Sequence, residues 1–128
     1  MKFTPTRLDG SYVIDIDKMG DARGFFGRSW CAQEMARHGL NGHIAQINTS
    51  RSTERGTLRG LHYQVAPHQE CKTIRCTKGA VFDVIVDLRP SSPSFLQWFG
   101  TELSEDNHRA LYSPEGFAHG FITLVPDA

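Results

Sequence analysis

Ala80-Val81-Phe82-Asp83-Val84-Ile85-Val86-Asp87-Leu88 reads as a β-strand, and it sets the fold class of the chain. Its β-branched and aromatic content favours a pleated, half-buried surface over a helix. Successive strand residues point to opposite faces, so Phe82, Val84, Val86 and Leu88 share one face while Val81, Asp83, Ile85 and Asp87 share the other. Asp83 therefore lies in mid-strand between apolar neighbours, where a carboxylate is costly unless paired or wet. Two readings stay open. Either that face is solvated at one end, or it lines a polar cavity inside a barrel in which Asp83 meets a cation.

Working outward, seven more segments alternate apolar and polar residues or are rich in β-branched and aromatic types: Ser11–Ile16, His43–Asn48, Thr57–Gln64, Lys72–Thr77, Phe95–Leu103, Arg109–Ser113 and His119–Val125. Turn signals separate them, among them Thr77-Lys78-Gly79, Ser104-Glu105-Asp106-Asn107 and Pro114-Glu115-Gly116. Short strands at such spacing predict an antiparallel sandwich or barrel. One helix is expected, from Trp30 to His38, with Ser29 as its N-terminal cap and Gly39 just past its end. The expected class is mainly β with one short helix, in a single domain covering residues 1–128.

Charge narrows the function. Lys and Arg number 14 and Asp and Glu 14, a net charge of zero, which argues against a general nucleic-acid binder. No apolar run approaches a membrane span, and no apolar segment follows Met1-Lys2-Phe3-Thr4-Pro5 to make a signal peptide. Cys31, Cys71 and Cys76 are odd in number and form no CxxC pair, which suits reduced thiols in a cytoplasmic protein.

The densest chemistry lies in Arg55-Gly56-Thr57-Leu58-Arg59-Gly60-Leu61-His62-Tyr63-Gln64. By alternation Gly60, His62 and Gln64 share a face, and Gly60 leaves room beside the imidazole. Lys72 shares a face with Ile74. Pro114-Glu115-Gly116-Phe117-Ala118-His119-Gly120-Phe121 supplies a second histidine just after a Pro/Gly turn. Pro-x-Gly-x-x-His before an apolar strand, preceded by a Gly-rich histidine strand, resembles the two cupin motifs. A metal cupin normally offers His-x-His and a later Glu. Here Gln64 and Lys72 stand instead, and an ammonium has no lone pair to give a metal. Metal is disfavoured, with His62, Gln64 and His119 as a weak alternative. A histidine suits proton abstraction near neutral pH, and a lysine can stabilise an enolate oxygen. Together they are the minimal equipment for removing a proton α to a carbonyl. His38, His43, His68 and His108 lie at element ends or in polar turns and read as solvated.

At this point the chain resembles the dTDP-4-dehydrorhamnose 3,5-epimerases of the cupin superfamily. The resemblance rests on Asp21-Ala22-Arg23-Gly24-Phe25-Phe26, Gln46-Ile47-Asn48, Gly56 to Gln64, Gln69-Glu70-Cys71-Lys72, Gly79 to Arg89, Trp98 and Tyr112 to Phe121. It implies a β jelly-roll, a homodimer with strands exchanged across the interface, and no metal or other cofactor. The implied substrate is a nucleotide-linked 4-keto-6-deoxyhexose, inverted at C5 and C3 through enolate intermediates in the synthesis of rhamnose-containing polysaccharides such as O-antigen. His62 matches the base and Lys72 the residue beside the 4-keto oxygen. Arg59 and His119 match sugar or diphosphate contacts, and Arg23, Gln46, Ile47 and Asn48 the nucleotide side. Asp83 is expected in the same cavity, paired with Lys72 or His119.

Two departures from the family pattern carry expectations of their own. Arg28 stands where the family usually has Glu, which alters the nucleotide-side contact. The general-acid tyrosine and the aspartate that orients the base have no match before Ala128. Tyr12, Tyr63 and Tyr112 do not match that tyrosine, nor Asp127 that aspartate. The chain is therefore expected to be an epimerase domain lacking its final segment and severely weakened or inactive. The alternative is a catalytically silent nucleotide-sugar-binding cupin.

Overall fold

The computed structural model describes residues 1–128. Along the chain run β1 (Lys2–Pro5), β2 (Tyr12–Asp15), β3 (Met19–Asp21), β4 (Gly24–Phe26), α1 (Ala32–Arg37), β5 (Leu58–His62), β6 (Lys72–Arg75), β7 (Ala80–Asp87), β8 (Trp98–Ser104), β9 (Ala110–Ser113) and β10 (Phe117–Thr123). One sheet has the order β1-β2-β9-β6 and the other β5-β10-β7-β8, while β3 and β4 form a hairpin of their own. Every pairing is antiparallel. The two sheets enclose Leu8, Cys76, Val81, Ile85, Leu103, Leu111 and Phe117. This is the mainly β jelly-roll of cupin type with one short helix that the sequence predicts.

The strand on which the fold class turns behaves as its pattern requires. Val81, Asp83, Ile85 and Asp87 are buried while Phe82, Val84 and Val86 are half-buried. The face bearing both carboxylates is therefore the inner one, and the solvated reading of that face is overturned. β9 is buried at all four positions, because both its faces are covered. Leu111 points between the sheets, and Ala110 and Tyr112 pack outward with Ile14, Met35 and Leu40 under α1.

Several expectations fail, each for a local reason. His43–Asn48 forms no strand. No other strand of the chain pairs with it, and an unpaired strand leaves its backbone groups without partners. β1 and the β3–β4 hairpin were not expected, since Lys2–Pro5 contains Pro5 and Met19–Phe26 is interrupted by glycines that mark turns rather than strands. α1 starts two residues late. Cys31 occupies the N-cap without a side-chain hydrogen bond, so Ser29 does not cap it. Gly39 does lie past the helix end with φ +70°, as a C′ glycine should.

Asp87, at the end of β7, is fully buried and ties down the loop that follows. It accepts hydrogen bonds from Arg89 Nε and Nη2 at 2.9 and 2.8 Å and from Ser94 Oγ at 2.7 Å. Burial alone would raise this carboxyl, but the donors of Arg89, Ser92 and Ser94 outweigh it and hold it well below the usual carboxylate range. A carboxyl depressed in the fold contributes stability that is present above its unfolded value near ~3.9 and is lost as pH falls through the folded one. Asp87→Asn should therefore lower the unfolding free energy at neutral pH by about 1–3 kcal/mol. It should also flatten the acid loss of stability below about pH 4. Urea unfolding on both sides of that pH reads both effects, and an unchanged acid dependence would refute the assignment.

Candidate active site

β10 lies between β5 and β7 and brings their side chains together. His119 is in register with His62 on one side and Ile85 on the other. Directly opposed residues of antiparallel strands share a face, so both histidines are on the face that Ile85 buries between the sheets. Phe121 likewise opposes Arg59 and Asp83. Between the two β5 pairs the register shifts by one residue. Plain alternation would put Arg59 and His62 on opposite faces, and the shift places both against inward residues of β10. This corrects the grouping of His62 with Gly60 and Gln64, because Gln64 lies past the end of the strand.

Gly60 makes the shift possible. Its φ is +102°, and a Cβ there would lie 2.7 Å from the His119 carbonyl oxygen and 2.8 Å from the Gly120 Cα. Gly120 reciprocates, since its own Cβ would meet the Arg59 carbonyl oxygen at 2.6 Å. The two strands approach closely because both residues lack a side chain.

Asp83 is 0% exposed. Its Oδ2 lies 2.8 Å from His119 Nε2, and its Oδ1 is the one buried side-chain polar atom without a hydrogen-bond partner. Burial raises its carboxyl above the ordinary range, and the bond to His119 opposes that shift. With the carboxyl ionised, Nε2–H must be the donor, which fixes the tautomer of a neutral His119 and leaves Nδ1 as its acceptor. The partner expected for Asp83 is thus His119. Lys72 instead pairs with Glu70, its Nζ 3.2 Å from Oε1. Lys72 is on the opposite sheet, opposed to the buried Ser113 and on the same face as Ile74, which packs into the core between the sheets. Arg59 is held by two acceptors, donating through Nε to Ser52 Oγ and through Nη2 to the Arg51 carbonyl, each at 3.1 Å.

The chain does not bring the nucleotide-side residues to these groups. Arg23 is at the β3–β4 turn with its side chain 90% exposed, bonded only to neighbouring Asp21. Gln46, Ile47 and Asn48 are exposed in irregular chain, Ile47 at 82%. Arg28 Nη1 donates to Glu34 Oε1 at 2.7 Å, so its charge is answered within the chain. Tyr112 belongs to the cluster under α1, where burial and the nearby Cys71 thiol push its phenol up to about 12. The acceptors that hold Arg59 gave no sequence signal. A serine in a polar loop is ordinary, and a backbone carbonyl carries no residue signature.

Residues 5–128 match the family model described as dTDP-4-dehydrorhamnose 3,5-epimerase. The chain belongs to this epimerase family. It is 43% identical over 129 residues to a dTDP-4-dehydrorhamnose 3,5-epimerase of Shigella flexneri, covering 100% of this chain and 71% of that protein. The crystal structure of the Bacillus anthracis epimerase with TDP and PPi bound superposes with a TM-score of 0.92 at 46% identity, covering 98% of this chain and 72% of the other. The Legionella pneumophila epimerase, in complex with dTDP-4-keto-L-rhamnose, does so at 0.88 and 42% identity, covering 98% and 66%. Against curated members of the epimerase family, the chain spans between 59% and 71% of their length. His62, His119, Arg59 and Asp83 thus share one face of an epimerase-family sheet, with Lys72 on the inward face of the sheet opposite.

Proposed function

We propose that the chain acts on a dTDP-linked 4-keto-6-deoxyhexose as an epimerase, removing the protons α to the C4 ketone at C5 and C3. The observation that carries this reading is the pairing of His62 with His119 on the inner face of the second sheet, with Asp83 behind and Arg59 alongside. His62 takes the proton, and the C–H electron pair moves into the carbonyl to give an enolate. Lys72 stabilises the enolate oxygen, which accumulates charge only as the reaction proceeds. His119, held by Asp83, and Arg59 bind the sugar and diphosphate. A ketone already acidifies its neighbouring C–H bonds, so a base and an oxyanion partner suffice and neither metal nor cofactor is called for. Inversion further needs a proton delivered to the opposite face of the enolate.

The reading includes a homodimer. The outer face of the second sheet carries Leu58, Leu61, Phe82, Val84, Ile122 and Trp98, of which Leu58 is 72% exposed and Trp98 53%. α1 covers the corresponding face of the first sheet, while no helix covers this one, where Arg7 reaches over the Trp98 ring. A second copy fits it, and exchanged segments would carry Arg23, Gln46, Ile47 and Asn48 to the partner's site. The product would feed rhamnose-containing polysaccharide synthesis in the cytoplasm. No helix of the chain is long and apolar enough to cross a membrane.

Deuterium wash-in tests the reaction at its first step. In D2O the chain should exchange the C5 or C3 hydrogen of dTDP-4-keto-6-deoxyglucose far above the rate without protein, because an imidazolium equilibrates with solvent before returning its proton. Mass spectrometry and proton NMR of the recovered sugar read it. No wash-in at either carbon would overturn the proposal.

A further inference from the structure

We infer that Ser52 is a positioning residue for anion recognition, setting the Arg59 guanidinium so that its tip faces the diphosphate. The inference rests on the assignment of Arg59 to the substrate's diphosphate above.

A guanidinium has five N–H donors in a fixed planar fork. Ser52 Oγ takes the Nε hydrogen and the Arg51 carbonyl takes one from Nη2. These acceptors belong to adjacent residues and meet the same flank of the fork. What remains is Nη1 and the second Nη2 hydrogen at the tip, the pair that fits two oxygens of a phosphate. Arg59 is otherwise exposed, and an exposed arginine samples many rotamers that an anion must freeze. Ser52 removes much of that freedom before the ligand arrives.

The cradle is itself rigid. Ser52 is 4% exposed, and its backbone N–H donates to the Ala128 carbonyl at 2.8 Å. Gly56 N–H donates to the Thr123 carbonyl at 2.9 Å. Thr57 N–H donates to Thr123 Oγ1 at 2.9 Å, and that hydroxyl donates onward to the Glu54 carbonyl at 2.7 Å. Arg51 is tied to Asp127 at 2.6 Å. Thr123 ends β10, the strand that carries His119. The 51–57 segment therefore places Arg59 relative to the same strand that places the histidine pair. A serine hydroxyl suits the task because it accepts from the guanidinium without adding charge that would repel a phosphate.

Ser52→Ala removes the acceptor and Ser52→Thr keeps it. Calorimetric titration of each variant with dTDP and with thymidine separates positioning from general damage. Ser52→Ala should weaken dTDP binding about tenfold while changing thymidine binding less than twofold, and Ser52→Thr should restore most of the dTDP affinity. Lost thymidine binding in step with dTDP binding would mark a folding defect and overturn the inference. So would unchanged dTDP affinity in Ser52→Ala when Arg59→Ala loses it. If Arg59→Ala itself binds dTDP as the unaltered chain does, the diphosphate assignment fails first, and the role of Ser52 with it.

Discussion

His62→Gln is expected to slow deuterium wash-in at C5 and C3 by about 10²–10⁴-fold, the range typical for loss of a positioned base. Glutamine keeps polarity and approximate length but cannot hold a proton at neutral pH. β5 is exposed at every position and contributes little to the core, so the variant should unfold at nearly the same urea concentration. It should also bind dTDP within a few-fold of the unaltered chain, because the imidazole addresses the sugar ring rather than the phosphates. This pattern, exchange lost with binding and stability retained, distinguishes a base from a structural histidine. Wash-in within threefold of the unaltered rate would remove His62 from the mechanism and leave His119 as the alternative base.

Gly60→Ala should be costly in both stability and chemistry. A non-glycine residue at φ +102° is strained, and the new methyl would meet the His119 carbonyl oxygen 2.7 Å away. Backbone rather than a flexible side chain must yield. The expected destabilisation is about 2–4 kcal/mol, combining torsional strain with strand displacement. β5 moving from β10 by about 1 Å also separates His62 from His119, and a misplacement of that size costs on the order of 10²-fold in rate. Thermal unfolding and wash-in should therefore fall together, unlike in His62→Gln. An alanine variant with the original midpoint and rate would show that the close approach of the two strands is unimportant.

Much of this architecture is legible in the sequence where one rule acts alone. The two-residue period of Ala80–Leu88 is undisturbed, so alternation correctly puts Asp83 and Asp87 on one face with Val81 and Ile85. That this face is the buried one comes from the packing of the two sheets. His62 and His119 stand out because glycines surround both. Legibility fails where two rules compete. Arg59 and His62 are three residues apart, and alternation separates them until the register shift at Gly60 reunites them. His43–Asn48 has the composition of a strand, but pairing needs a neighbour that composition does not supply. The same holds for Arg28, whose reversal of charge is visible while its answer by Glu34 depends on how the chain folds back.

The double cover over β9 has a dynamic counterpart. Amides in a strand packed on both sides open only when the whole domain opens, whereas a two-stranded hairpin outside the main sheets opens almost freely. Lys72 lies opposite Ser113 at the end of β9 and inherits that stiffness. Arg23, at the turn of β3 and β4, does not. Lys72, proposed to hold the enolate oxygen, is thus anchored to the slowest-breathing part of the molecule, and the arm assigned to the nucleotide belongs to the fastest. Such a division would let the arm move for a bulky substrate without shifting the ammonium proposed to meet the enolate oxygen.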